Sequence, residues 1–301
     1  MIRVGTDCAG IEAPIQALMN IKVPFEHVFS CEVDPHCQES IDANYHPQYR
    51  YTDMTTRDLD TLPDIDLYVC GFPCQSFSSA GNRNGVREKR GQLFWYCLDV
   101  IRHKKPTYFI LENVKGLCTI DQGETFETIL DELDALKLYD IHYDMMDTKD
   151  YGIPQHRERL FIVGIKKKLH HPFQFSNIRH RPLLPLSSFI DYSDQEKEPI
   201  PPFLKRSGLL SRIPKKAIFI DIGFTQNNFP NSDTYTPTLN TSGNLWCVPL
   251  QRHATVKEML RLQKFPAGFK QVVSDRQLKK QIGNSMSVNV LEEIMKEIFF
   301  N

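Results

Sequence analysis

Short apolar runs separated by longer stretches of helical spacing dominate the first 165 residues. Ile2-Arg3-Val4-Gly5, His27-Val28-Phe29-Ser30, Asp66-Leu67-Tyr68-Val69-Cys70, Tyr108-Phe109-Ile110-Leu111 and the run from Leu160 to Ile165 are too short for helices. They end in turn or polar residues, so they read as strands. Apolar residues at helical spacing fill the intervals from about Glu12 to Met19, Leu93 to Arg102 and Thr125 to Leu136. Apolar strands alternating with helices predict an α/β fold built on a mostly parallel, doubly wound, Rossmann-like sheet. Such sheets bind ligands at the carboxyl ends of their strands. Gly10, Glu32, Cys74 and Glu112 all fall just after a predicted strand.

From Lys166 to Asn231 this pattern breaks. Prolines are frequent (Pro172, Pro182, Pro185, Pro199, Pro201, Pro202, Pro214, Pro230) and periodicity is weak. A second, small, loop-rich domain is expected over 166–249. Regular patterning then returns: Val256 to Leu262 reads as a helix, and Val288 to Phe300 as an amphipathic one with Val290, Leu291, Ile294 and Ile298 on its apolar face. The large domain is therefore expected to be discontinuous, 1–165 plus 250–301, with the last helix returning to it.

Charge changes the picture more than composition does. The 301 residues carry a formal net charge of -1, which excludes a uniformly basic coat but not a local basic face. Met1 to Gln75 holds twelve acids against four bases, whereas Lys166 to Lys216 is rich in lysine and arginine. Arg83, Arg87, Lys89 and Arg90 form a second basic run. This segregation suits a polyanion held on one side. No 18-residue apolar run occurs and Met1 to Gly10 lacks a signal pattern, so a soluble intracellular chain without a membrane partner is expected. The eight cysteines are spread singly with no C-x-x-C pair, which points to reduced thiols and no metal site.

Four local groupings carry chemistry. Asp7-Cys8-Ala9-Gly10-Ile11 opens a helix, and Glu32 follows the next strand, where an acid can accept hydrogen bonds from ribose hydroxyls. The full G-x-G-x-x-G loop is missing, which disfavours a dinucleotide-phosphate cradle and hence a dehydrogenase. Asp53 in Tyr51-Thr52-Asp53-Met54 could accept from an adenine amine. Gly71-Phe72-Pro73-Cys74-Gln75 presents a cysteine on a proline-stiffened turn, ahead of a Gly-, Asn- and Arg-rich loop able to close over an anion. Glu112-Asn113-Val114 offers a proton donor at a strand end, and Arg157 and Arg159 would share one face if extended.

Pro73-Cys74-Gln75, Glu112-Asn113-Val114, Gln155-His156-Arg157-Glu158-Arg159, Arg261-Leu262-Gln263-Lys264-Phe265-Pro266 and Gln281-Ile282-Gly283-Asn284-Ser285 occur in that order. Their order and spacing resemble the DNA (cytosine-5) methyltransferase family over nearly the whole chain, except about 166–231, where that family keeps its variable target-recognition region. The resemblance implies methyl transfer from S-adenosylmethionine to cytosine in double-stranded DNA, as in restriction–modification systems. It makes Cys74 the nucleophile on C6 of a flipped base, Glu112 the donor at N3, and Arg157 and Arg159 the groups that hold the base and its phosphate. The loop from Ser76 to Gln92 would close over the base. Ala9, Gly10 and Ile11 would border the cofactor, Glu32 would hold its ribose, and Asp53 with Met54 its adenine. Pro73 and Leu93 would line the pocket, and Asn284 and Ser285 would return to the methionine end.

The first motif departs from the family's usual Asp-Leu-Phe-x-Gly: this chain has Thr6-Asp7-Cys8-Ala9-Gly10, with Cys8 at the aromatic position, and then Ile11-Glu12-Ala13-Pro14 in place of the common second glycine. Phe203, Phe219, Phe224, Phe229 and Tyr235 among Lys205, Arg206, Arg212, Lys215 and Lys216 suit a nucleic-acid groove. Two other readings share the same residues: a transfer-RNA cytosine-5 methyltransferase, whose loop usually reads Pro-Pro-Cys-Gln where this chain has Phe72-Pro73-Cys74-Gln75, and a non-catalytic DNA-binding protein. A monomer is expected.

Overall fold

The computed structural model describes residues 1–73, 93–194, 196–201, 205, 208–223 and 233–300. Cys74, the loop from Ser76 to Gln92, Phe203, Arg206, Phe224 and Phe229 lie outside the described residues. The chain divides into two compact units. One holds Met1–Met146, Glu158–Ile178 and Leu291–Asn301; the other holds Asp147–Arg157 and Arg179–Val290.

The first unit is built on a seven-stranded sheet. Its strands are β1 (Ile2–Asp7), β2 (Phe25–Cys31), β3 (Tyr49–Tyr51), β4 (Leu67–Cys70), β5 (Tyr108–Val114), β6 (Tyr139–Asp147) and β7 (Glu158–Lys166), in the order β3-β2-β1-β4-β5-β7-β6. β1 to β5 pair in parallel, and β7 runs antiparallel to β5. The mostly parallel sheet anticipated from the apolar runs is thus present. Every residue of β4 is buried, so both faces of the sheet are covered there, which is why this strand reads as unbroken apolar sequence. Tyr68, Phe94, Leu98, Phe109, Ile129 and Ile162 belong to its core.

The helices of this unit begin where local chemistry allows. Ahead of α1 (Ala13–Ile21), Glu12 takes a left-handed conformation and Pro14 occupies the first turn, where its missing N–H costs nothing. α2 (Pro35–Asn44) is capped by Asp34, whose side chain accepts from the His36 amide. α3 (Leu93–Lys104) and α4 (Glu124–Ala135) match the helical spacing of their sequences.

In the second unit, β8 (Phe219–Asp221), β9 (Leu245–Cys247) and β10 (Arg252–His253) form an antiparallel sheet over Ala217, Ile220, Ile222 and Trp246. α5 (Val256–Leu262) starts at a capping box between Thr255 and Glu258. Glu258 also takes two 2.9 Å hydrogen bonds from the Arg252 guanidinium. α6 (Asp275–Asn284) is capped by Ser274; α7 (Val288–Phe300) belongs to the first unit from Leu291 onward. A side chain at Gly283 would place its first carbon 2.3 Å from the Asn240 carbonyl oxygen, so α6 packs there only because that residue is glycine. Among the described residues no helix is long and apolar enough to cross a membrane.

Candidate active site

Strand order locates the site. β1 has β2 on one side and β4 on the other, so the sheet reverses its winding between β1 and β4, where open α/β sheets leave a crevice. Asp7 of β1 pairs in register with Cys70 of β4. The turn Cys8-Ala9-Gly10 and the turn Gly71-Phe72-Pro73 therefore leave the sheet side by side.

The first turn is held by its neighbours. The Ala9 amide donates to the Cys31 carbonyl at 3.1 Å and the Glu12 amide to the Ala9 carbonyl at 2.9 Å. Gly10 has φ +57°, and no atom lies within 4 Å of where its Cβ would stand. The Gly10 amide donates to Glu32 Oε2 at 2.7 Å and the Asp34 amide to Glu32 Oε1 at 2.9 Å. Each carboxylate oxygen keeps a lone pair for another donor. Burial pushes the Glu32 carboxyl above its ordinary range, opposed in part by those amides. The Glu32 amide donates to the Tyr51 carbonyl at 3.1 Å, which brings the end of β3 alongside. Just beyond it, Asp53 Oδ1 accepts from the amide and hydroxyl of Thr55, and the buried Met54 sulfur lies 3.9 Å from Cys8 Sγ. Val33, next to Glu32, is 73% exposed and adds apolar surface beside the acid. Ala9 and Ile11 are buried.

At the end of β4, Asn113 donates from Nδ2 to the Phe72 carbonyl at 2.9 Å, fixing the turn that leads through the exposed Pro73 to Cys74. Glu112 is buried at 9% exposure, and Arg159 Nε lies 3.3 Å from its Oε1. Arg159 also donates to the Glu158 carbonyl at 2.7 Å. Burial pulls the Arg159 guanidinium below its ordinary value, and Glu112 opposes that. Leu93 opens α3 and packs on the core.

Arg157 is placed differently from Arg159. It lies in the second unit, 2% exposed, and its Nη1 and Nη2 donate to the carbonyls of Leu239 (2.9 Å), Gly283 (3.1 Å) and Ser285 (2.7 Å). Extension alone would have sent the two arginines to one substrate; Arg157 precedes β7 and its donors serve these three carbonyls. Gln155 joins the same brace, donating to the Leu262 carbonyl at 2.9 Å and accepting from the Leu239 amide at 3.1 Å. Gln263 donates to the Ile282 carbonyl at 3.0 Å. Polar residues of three sequence motifs thus hold one another. Ser285 is buried, with its hydroxyl on the Met286 carbonyl, whereas Asn284 is exposed.

Phe219 does not join a groove: it is fully buried in β8. Arg212, Lys215 and Lys216 are exposed, and Tyr235 lies beside Lys149 and His156. Sequence reasoning missed a buried cluster in the first unit. Arg57 donates to both oxygens of Asp7, Tyr68 donates its hydroxyl to the same carboxylate at 2.6 Å, and the guanidinium lies over Phe29 and Tyr51. The lone arginine in the acid-rich stretch from Tyr51 to Asp66 was the available signal.

A doubly wound sheet with a glycine turn and a following acid at its reversal point, and a Glu–Arg pair on the neighbouring β5 and β7, defines a Rossmann-like ligand-binding class. Within that class, the profile of the C-5 cytosine-specific DNA methylase family matches residues 6–216 and 225–300. The chain is 35% identical over 279 residues to Type II methyltransferase M.NgoBI of Neisseria gonorrhoeae, covering 90% of this chain and 85% of that protein. It is also 35% identical over 281 residues to M.HaeII of Haemophilus aegyptius, covering 89% and 84%. In fold it is similar to the S. pombe Dnmt2 methyltransferase, with a TM-score of 0.74 at 18% identity, covering 100% of this chain and 98% of that one. The chain belongs to the C-5 cytosine-specific DNA methylase family and is a DNA cytosine methyltransferase.

Proposed function

We propose that the protein methylates C5 of cytosine in duplex DNA through covalent attack by Cys74 on an extruded base, with S-adenosylmethionine as donor. The residues present fit that cofactor. Open space faces the left-handed Gly10, and the half-buried Glu32 carboxylate retains acceptor capacity for two ribose hydroxyls. Asp53 and Met54 would meet the adenine, with the Ala9, Gly10 and Ile11 main chain beneath, Pro73 and Leu93 alongside, and Asn284 with Ser285 toward the methionine end. When bound, the cofactor supplies an electrophilic methyl group on a sulfonium.

Every other step falls to the chain. The Cys74 thiolate forms a bond to cytosine C6, and the electrons of the C5–C6 double bond shift through the ring toward N3. Glu112 protonates or hydrogen-bonds N3 and accepts from the exocyclic amine, so that shift ends in a neutral enamine. The enamine makes C5 nucleophilic toward such a methyl group. Once C5 is methylated, a solvent base takes the C5 proton, the C5–C6 double bond re-forms, the Cys74 thiolate leaves, and N3 returns its proton to Glu112. Arg159, beside Glu112, holds the carboxyl's orientation and meets the base's O2 edge, and Arg157 braces the motif segments of its own unit. Extrusion costs a few kcal/mol, which contacts to the freed base must return. The exposed lysines and arginines of 166–249, the region assigned to target recognition, would meet DNA phosphates.

One observation carries this reading: Asn113 fixes the turn ahead of Cys74 while its neighbour Glu112 faces Arg159 at 3.3 Å. Duplex DNA containing 5-fluorocytosine, which cannot lose a proton from C5, tests it. A covalent complex is expected with the wild-type protein and none with Cys74→Ser. Turnover retained in Cys74→Ser refutes the mechanism. Transfer RNA assayed beside duplex DNA decides the substrate.

A further inference from the structure

We propose that the buried Asp7–Arg57 pair, completed by Tyr68, is a positioning device that sets Asp53 and Met54 against the adenine of the cofactor. The inference rests on the cofactor reading above and goes beyond it, because these residues would not touch the ligand.

Three observations converge. First, the segment between β3 and β4, which carries Asp53 and Met54, contains no helix or strand. Its far end is held by the buried Leu62 and Ile65; its near end is held by Arg57, four residues after Asp53. Second, the grip is two-pronged and buried. Arg57 and Asp7 side chains are 3% and 0% exposed, the fork meets both carboxylate oxygens, and the Tyr68 hydroxyl reaches Oδ2 from β4. Phe29 and Tyr51 lie 5.1 and 5.5 Å from the guanidinium carbon. A planar, two-point pair fixes rotation as well as distance, which a lysine or an apolar contact does not. Third, Asp7 immediately precedes the ribose-side turn, and its neighbour Cys8 touches Met54 through sulfur at 3.9 Å. Asp7 and Cys8, two of the residues at which the first motif departs from its usual pattern, therefore face this one segment. A buried pair adds little net stability over an apolar substitute, so its distinctive contribution here is geometry.

Calorimetric binding of S-adenosylhomocysteine and S-inosylhomocysteine to the full chain tests the proposal. The second ligand carries a carbonyl oxygen in place of the adenine amine, so Asp53 meets an acceptor instead of a donor. The wild-type protein is expected to prefer the adenosyl ligand at least tenfold. Arg57→Lys keeps Asp7 compensated, and the double variant Asp7→Leu, Arg57→Met removes both charges together; melting curves check that each is folded. In both, the preference should fall at least fivefold while affinity for the inosyl ligand stays within twofold. KM for S-adenosylmethionine should rise with kcat retained. Full preference in the folded variants, or equal loss for both ligands, overturns the proposal and leaves the cofactor reading intact. A wild-type protein that binds both ligands equally refutes Asp53 as the adenine reader and the proposal with it. Binding of neither refutes the cofactor reading itself.

Discussion

Arg157 and Arg159 stand two residues apart in one motif, and the structure separates their consequences. Arg157→Met keeps the length and apolar stem of the side chain but removes the donors that serve Leu239, Gly283 and Ser285. All three carbonyls lose a charged donor in a buried setting, where each such loss costs roughly 1–3 kcal/mol. Because the three losses share one relaxation, they do not add fully, and a total of about 3–5 kcal/mol is expected. Domain stabilities are commonly about 5–15 kcal/mol, so the variant should be folded but fragile. At about 2–4 °C per kcal/mol, its melting temperature should fall by roughly 6–20 °C. Arg159→Met removes the largely buried ion pair to Glu112 at 3.3 Å and the local bond to the Glu158 carbonyl, and should cost about 2 kcal/mol, while methyl transfer falls by two orders of magnitude or more (about 3 kcal/mol of barrier). Urea unfolding followed by circular dichroism, paired with a methyl-transfer assay on duplex DNA, reads both quantities. An Arg157→Met protein as stable as wild type, or an Arg159→Met protein destabilised as much as Arg157→Met, would refute the division of roles.

Gly283→Ala should destabilise by about 1–3 kcal/mol, since the new methyl group would meet the main chain of Asn240 and Thr241 at 2.3–2.8 Å; thermal melting checks it. Asn113→Ala should lower kcat by about tenfold with little change in cofactor affinity, because the turn before Cys74 loses its tether and the other bond lost, from the Val114 amide, is local; steady-state kinetics and calorimetry separate the two. Glu32 has a raised pKa from burial, so on acidification it takes up its proton earlier than an exposed glutamate. The burial cost to stability is then present at neutral pH and fades as pH falls through the folded-state pKa. Binding of S-adenosylhomocysteine, which needs the charged acceptor, should weaken over the same interval, and Glu32→Gln should bind about tenfold less tightly with a flat pH profile; an unchanged profile in that variant would refute the role.

The central strands and most helices were legible because covered parallel strands must be apolar throughout and amphipathic helices must repeat near every fourth residue. β4, α3 and α7 show this directly. α2 was not legible: Cys37, Ser40 and Ile41 are its buried residues, too narrow a stripe to register against its polar sequence. β6 was overlooked although Tyr139, Ile141, Tyr143 and Met145 alternate with polar residues, the signature of an edge strand with one wet face. The antiparallel pairing of β7 with β5 leaves no mark on composition, because both strands are buried alike.

Taken by itself, the sequence determined the α/β class, the turns after strands where chemistry collects, and the ordered motifs that identify the family. Those depend on period and on residue type, which are local. Partners were decided only in three dimensions. Nothing local distinguishes an arginine that braces three carbonyls from one that faces a glutamate two residues later. Nor does spacing show that Asp7 and Arg57, fifty residues apart, close on each other beneath two aromatic rings. A buried charge must find its counter-charge, but which one it finds is set by how the chain returns through the sheet.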